Sequence, residues 1–146
     1  MQSLVEEVRR LRMAVERLGS TMPRMQITMQ RLQIQEQKVA EASRQWRELR
    51  NHSMAASAEQ AIEERRMQEM EEHVQNEQDL TRRKMFQEQR DAMKVGLERS
   101  SQMLQQTSAQ EAEAANLLRL EQSKLDELSE RLNQLLSSLD APGRQP

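Results

Sequence analysis

From Met1 to Leu32 an apolar residue recurs at intervals that alternate between three and four: Met1, Leu4, Val8, Leu11, Val15, Leu18, Met22, Met25, Met29 and Leu32. No other feature constrains the chain so strongly. An α-helix turns once every 3.6 residues, so these side chains fall along one narrow stripe. Such a stripe is the a/d seam of a coiled coil, and it leaves water by lying against another helix. Leu4, Leu11, Leu18, Met25 and Leu32 take d, while Val8, Val15 and Met29 are among the a positions. Val at a with Leu at d favours two parallel strands.

A second stripe closes the chain. Leu118, Glu121, Leu125, Leu128, Leu132, Leu135 and Leu139 again alternate three and four, and Leu97 and Leu104 fit the same frame upstream. Leu117 and Leu136 flank this stripe and widen it, and Leu at both a and d does not specify a dimer. Ile27 and Ile34 likewise add a second apolar line beside the first seam, as in a helix with two neighbours. The two frames are offset by five positions, which stutters or a bend would absorb.

Composition points the same way. One Trp, one Phe and no Tyr leave leucine and eleven methionines to supply the buried surface, which suits a seam better than a thick core. Only three Gly and three Pro occur, so long uninterrupted helix is expected. The fold class expected is all-α and elongated.

The exception is Leu18-Gly19-Ser20-Thr21-Met22-Pro23. In a continuous helix Gly19 costs about 1 kcal/mol and Pro23 about 3 kcal/mol relative to alanine. A break relieves most of that. Gly19 suits the left-handed position after a helix end, Pro23 suits the first turn of a new helix, and Ser20 or Thr21 can cap it. The local chemistry therefore predicts a short amphipathic helix within 1–18, a joint at 19–22 and a long coiled-coil helix over 23–139. A sharp kink is the alternative, because the seam keeps its register across the joint. Beyond residue 139 the stretch DAPGRQP (140–146) reads as a disordered tail.

Between the seams lies a polar middle, about 51–96. NHSMAASAEQ (51–60) is small and polar and could bend, residues 63–91 are densely charged with both signs, and Gly96 is a further bend candidate. In the frame of the first seam, Val39 and Trp46 still fall at d, but Glu36, Ser43 and Arg50 occupy a, and the stripe fades. A helix from 23 to 139 would be about 175 Å long at 1.5 Å per residue. Such a rod is the first expectation. A hairpin that bends in the polar middle is the second.

Catalytic chemistry finds little to work with. There is no cysteine, and only two histidines. Glu69, His73 and Glu77 share a helix face, as do Glu48 and His52, at a spacing that can hold a metal. On so charged a helix they read as a wet surface, and no catalytic, cofactor or metal residue is assigned. The glycines are isolated, so no phosphate loop is present. Enzymatic activity and a small-molecule substrate are not expected.

Charge excludes a strong pull toward polyanions, since the net value is −2. It is unevenly spread: residues 1–50 carry ten basic and six acidic side chains, residues 100–146 four and seven. The basic clusters at 9–12, 64–66 and 81–84 lie beside Glu6, Glu7, Glu63, Glu64 and Asp79 and lack stacking aromatics, against nucleic-acid binding. The first helix, with Arg9, Arg10, Arg12 and Arg17 around its apolar side, also has the pattern of a membrane-surface helix, diluted by three glutamates. No apolar run approaches the roughly 20 residues of a membrane span, and the start lacks the basic and apolar regions of a signal peptide. Localisation stays open, with the cytoplasm as the default.

PRMQITMQRLQIQEQKVAEASRQWRELR (23–50) and EAEAANLLRLEQSKLDELSERLNQLLSSL (111–139) resemble a group of uncharacterised bacterial proteins predicted to be coiled coils. The resemblance covers about half the chain and implies a bacterial origin without a known activity. Some proteins of that group carry an N-terminal export or anchoring segment, and this chain departs from them there. The function expected is a scaffold, spacer or adaptor that self-associates as a homo-oligomer or pairs with a partner helix.

Overall fold

A computed structural model describes residues 2–140. It contains two α-helices: α1, Gln2–Asn76, and α2, Leu80–Asp140. The all-α expectation holds. Position 1 and positions 141–146 lie outside the described residues, so only Asp140 of the expected tail can be placed, and it is helical.

The joint expected at 19–22 does not form. Helix α1 runs through Gly19 and carries Pro23 in its interior. No glycine among the described residues adopts a positive φ, so Gly19 makes no left-handed cap. Ser20 does not cap a new helix either: its Oγ donates back to the Arg17 carbonyl at 3.0 Å. The physical reason lies in cooperativity. Ending the helix here would require a second costly nucleus only a few residues later. It would also put the covered positions Ala14, Thr21 and Met25 out of register.

The uninterrupted helix expected over 23–139 is also corrected. It stops at Asn76 and restarts at Leu80, inside the charged stretch. The bends considered at 51–60 and at Gly96 are absent, since both lie within helices. The turn itself is built from side chains. Asp79 caps α2: its carboxylate accepts from the Thr81 amide at 3.0 Å and its carbonyl from the Arg83 amide at 2.9 Å. Arg83 Nε then donates to the Glu77 carbonyl at 3.1 Å, satisfying the end of α1.

The helices form two units. One consists of residues 43–117, in which the chain folds back on itself as an antiparallel hairpin around that turn. Its register is marked by Glu63 with Ser100, Glu71 with Arg90 and His73 with Phe86. Its covered positions on α1 include Trp46, Leu49, Ala56, Met67, Met70 and Val74; on α2 they include Phe86, Met93, Leu97, Leu104 and Ala114. The other unit pairs the start of α1, through Ala42, with the end of α2, from Leu118. There Met25, Thr28, Leu32, Gln35, Val39 and Ala42 are covered on α1. On α2 the covered positions include Leu118, Glu121, Leu125, Leu128, Leu132, Leu135 and Leu139, with Ser129 beside them. In both units the covered positions alternate three and four, the pattern of a helix that packs along one seam.

Candidate functional site

In the unit that joins the start of α1 to the end of α2, two buried polar groups meet across the seam. Gln35 and Glu121 retain 6% and 8% of their exposure. Gln35 Nε2 donates to the Glu121 carbonyl at 2.9 Å and to the Glu121 carboxylate. On its own helix Lys124 Nζ reaches the same carboxylate at 3.2 Å. The Gln35 hydrogen bond holds the Glu121 carboxyl below its usual value. Burial opposes this, and Lys124 and Lys38 reinforce it. A hollow of about 230 Å³ beside the cluster is lined by Gln35, Lys124, Glu127, Leu128 and Arg131 and opens to solvent. No buried side-chain nitrogen or oxygen among the described residues lacks a partner.

Thr28, buried in the same seam, is satisfied within its helix, its hydroxyl donating to the Arg24 carbonyl at 2.8 Å. The sequence reading of the first seam placed Met29, Glu36 and Ser43 at the second seam position. The buried positions are Thr28, Gln35 and Ala42, one residue earlier; Met29 and Glu36 are exposed, and Ser43 is partly covered beside Ala42. Met25 and Leu32 are partly covered, whereas Met29 is 51% exposed. The missed signal was the run Ala42, Leu49, Ala56, at intervals of seven, which continues where Glu36, Ser43 and Arg50 make the other frame fade. The C-terminal positions Leu118, Leu125, Leu128, Leu132, Leu135 and Leu139 are each partly covered.

Along the first helical turns the seam residues face water. Leu4, Val8, Leu11, Val15 and Leu18 are all exposed, Leu11 at 70%. Every residue from 2 to 13 is exposed. Gly19 and Pro23, expected to break the helix, sit inside it, and nothing lies within 4 Å of a Cβ built on Gly19.

In the hairpin unit the histidines have plain surroundings. His73 stacks on Phe86, with ring centroids 5.8 Å apart and planes at 29°. His52 lines an open hollow of about 380 Å³ with Ala55, Ala56, Ser100 and Thr107. Arg50 lies 5.2 Å over the Trp46 ring. Among the described residues, no three His, Asp or Glu side chains converge as a metal site requires. None of their helices is long and apolar enough to cross a membrane.

Comparison with known proteins finds no matching family model, no matching curated protein and no matching solved structure.

Proposed function

We propose that this chain is a non-enzymatic coiled-coil scaffold, spacer or adaptor that self-associates or pairs with a partner helix. One observation carries the reading. Covered positions alternate three and four along both helices, while a further heptad line, Leu4, Val8, Leu11, Val15 and Leu18, stays exposed. A helix pair that leaves so much regularly spaced apolar surface in water is suited to take up another helix. The long mixed-charge faces keep such a chain dissolved and add no chemistry of their own.

Sedimentation equilibrium on the purified chain tests the reading. A mass above that of one chain supports it. A monomer at all concentrations that also captures no helical peptide removes it.

The alternative reading is a peripheral binder of membranes or nucleic acid that uses Arg9, Arg10, Arg12 and Arg17. It is favoured by the exposure of that whole helical segment. Co-sedimentation with anionic liposomes and with oligonucleotides at two salt concentrations separates the two, since electrostatic binding weakens steeply as salt rises.

A further inference from the structure

Building on the coiled-coil reading, we propose that residues 2–22 of α1 are a homodimerisation segment, on which the same segment of a second copy docks in parallel. The occupant follows from three features. Leu4, Leu11 and Leu18 continue the line of Met25 and Leu32, which are partly covered in the unit that pairs the start of α1 with the end of α2, while Val8 and Val15 continue the exposed line of Met22 and Met29, so the segment adjoins that pairing and keeps its own a/d face open. Leu4 and Val8 keep 67% and 61% of their exposure, and no described residue covers them. Val8 and Val15 at a, with Leu at d, select two parallel strands.

Charge complementarity sets the orientation. In a parallel pair, each g residue faces the e residue five positions later on the other strand. Glu7 stands at g and Arg12 at e, so two copies in register form Glu7–Arg12 contacts on both sides of the seam. Arg12 bonds Glu16 through Nε, and its remaining N–H groups suffice for a second carboxylate. An antiparallel pair centred near Leu11 sets Arg12 against Arg12 instead. A lipid surface is the poorer match, because the four arginines of residues 2–18 are offset by Glu6, Glu7 and Glu16.

The test uses the full chain in sedimentation velocity and equilibrium. The parent chain dimerises. Leu11→Glu weakens the dimer by more than about a hundredfold, since it sets two charges into the seam. Its helical circular dichroism persists, because Leu11 is 70% exposed in the helix pair. Glu7→Arg or Arg12→Glu alone raises the dimer Kd roughly tenfold, and the double exchange restores it to within about threefold. The chain has no cysteine, so Leu4→Cys reports orientation: parallel copies oxidise to a disulfide-linked dimer.

Oligomers unaffected by Leu11→Glu and by the charge exchanges overturn the assignment while leaving self-association standing. If the Leu4→Cys chain dimerises without cross-linking, the parallel orientation is overturned, and the proposal with it. A monomeric parent overturns the proposal outright, as does a parent captured only by phosphatidylserine vesicles. In that last case the membrane reading takes its place.

Discussion

Gln35 on α1 donates through its side-chain amide to both the backbone carbonyl and the carboxylate of Glu121 on α2. A glutamine and a glutamate thus occupy adjoining places in a seam otherwise lined by Met25, Leu32, Leu125 and Leu128. The contact works as a register mark, since sliding either helix by one heptad would separate the Gln35 amide from Glu121 and leave it among other seam residues without that acceptor.

Acid should loosen this seam. The Gln35 hydrogen bond, helped by Lys124 and Lys38 and opposed by burial, holds Glu121 below the ordinary carboxylate value. The folded chain therefore binds fewer protons at this site than the unfolded chain. Its stabilising contribution is complete above the unfolded value, about 4.3 for glutamate. It is lost as pH falls through the lower folded value. Urea melts across that window should show Glu121→Gln losing less stability on acidification than the parent. Identical pH profiles would dismiss the role assigned to Glu121.

The two ends of the burial range should respond differently to substitution. Leu128→Asp puts a charge among the covered leucines and should destabilise by about 3 kcal/mol. Glu71→Ala removes only a 4.0 Å contact with Arg90 from a half-exposed side chain and should change stability by less than about 0.5 kcal/mol. Thermal melts that find the two equally harmless would mean the leucine stripe is not buried.

Capping of the turn offers a local test. Asp79→Ala deletes the acceptor of the Thr81 amide and should cost about 1 kcal/mol in denaturant melts. Asp79→Asn, which keeps an acceptor, should recover most of it.

Glycine in an open helix is a removable weakness. A Cβ built on Gly96 meets nothing within 4 Å, so Gly96→Ala should stabilise the chain by about 1 kcal/mol. Gly19→Ala lies in equally open space. Its gain should appear as slower amide exchange around residues 15–23, because the first turns of α1 have few contacts to transmit it.

Much of the fold is legible in the residue order. Six of the three-four positions over 118–139 are leucines that are partly covered, with buried Glu121 among them, and Met25 and Leu32 are partly covered on α1. Half of the first seam could not be read, for a definite reason. Val8, Val15, Met22 and Met29 are as apolar as any seam residue, yet α1 turns Thr21, Thr28, Gln35 and Ala42 toward its neighbour instead. Hydrophobicity alone ranks a buried glutamine below an exposed methionine, and only the carboxylate brought up by the facing helix reverses that order. The turn at 77–79 was equally hidden, because it contains neither Gly nor Pro and depends on Asp79 and Arg83 finding carbonyl and amide partners once the chain has reversed.

What the amino-acid order determines by itself is helix nearly everywhere, with one apolar line per helix. Backbone periodicity is a local property, and breakers here are too few to interrupt it. Which line is covered, that α1 continues through Gly19 and Pro23, and that the chain reverses at 77–79 were decided by the tertiary structure. The covered line depends on the energy of two segments distant in sequence packing together, the helix through Gly19 and Pro23 on cooperativity along α1, and the reversal on caps that form only once the turn has closed.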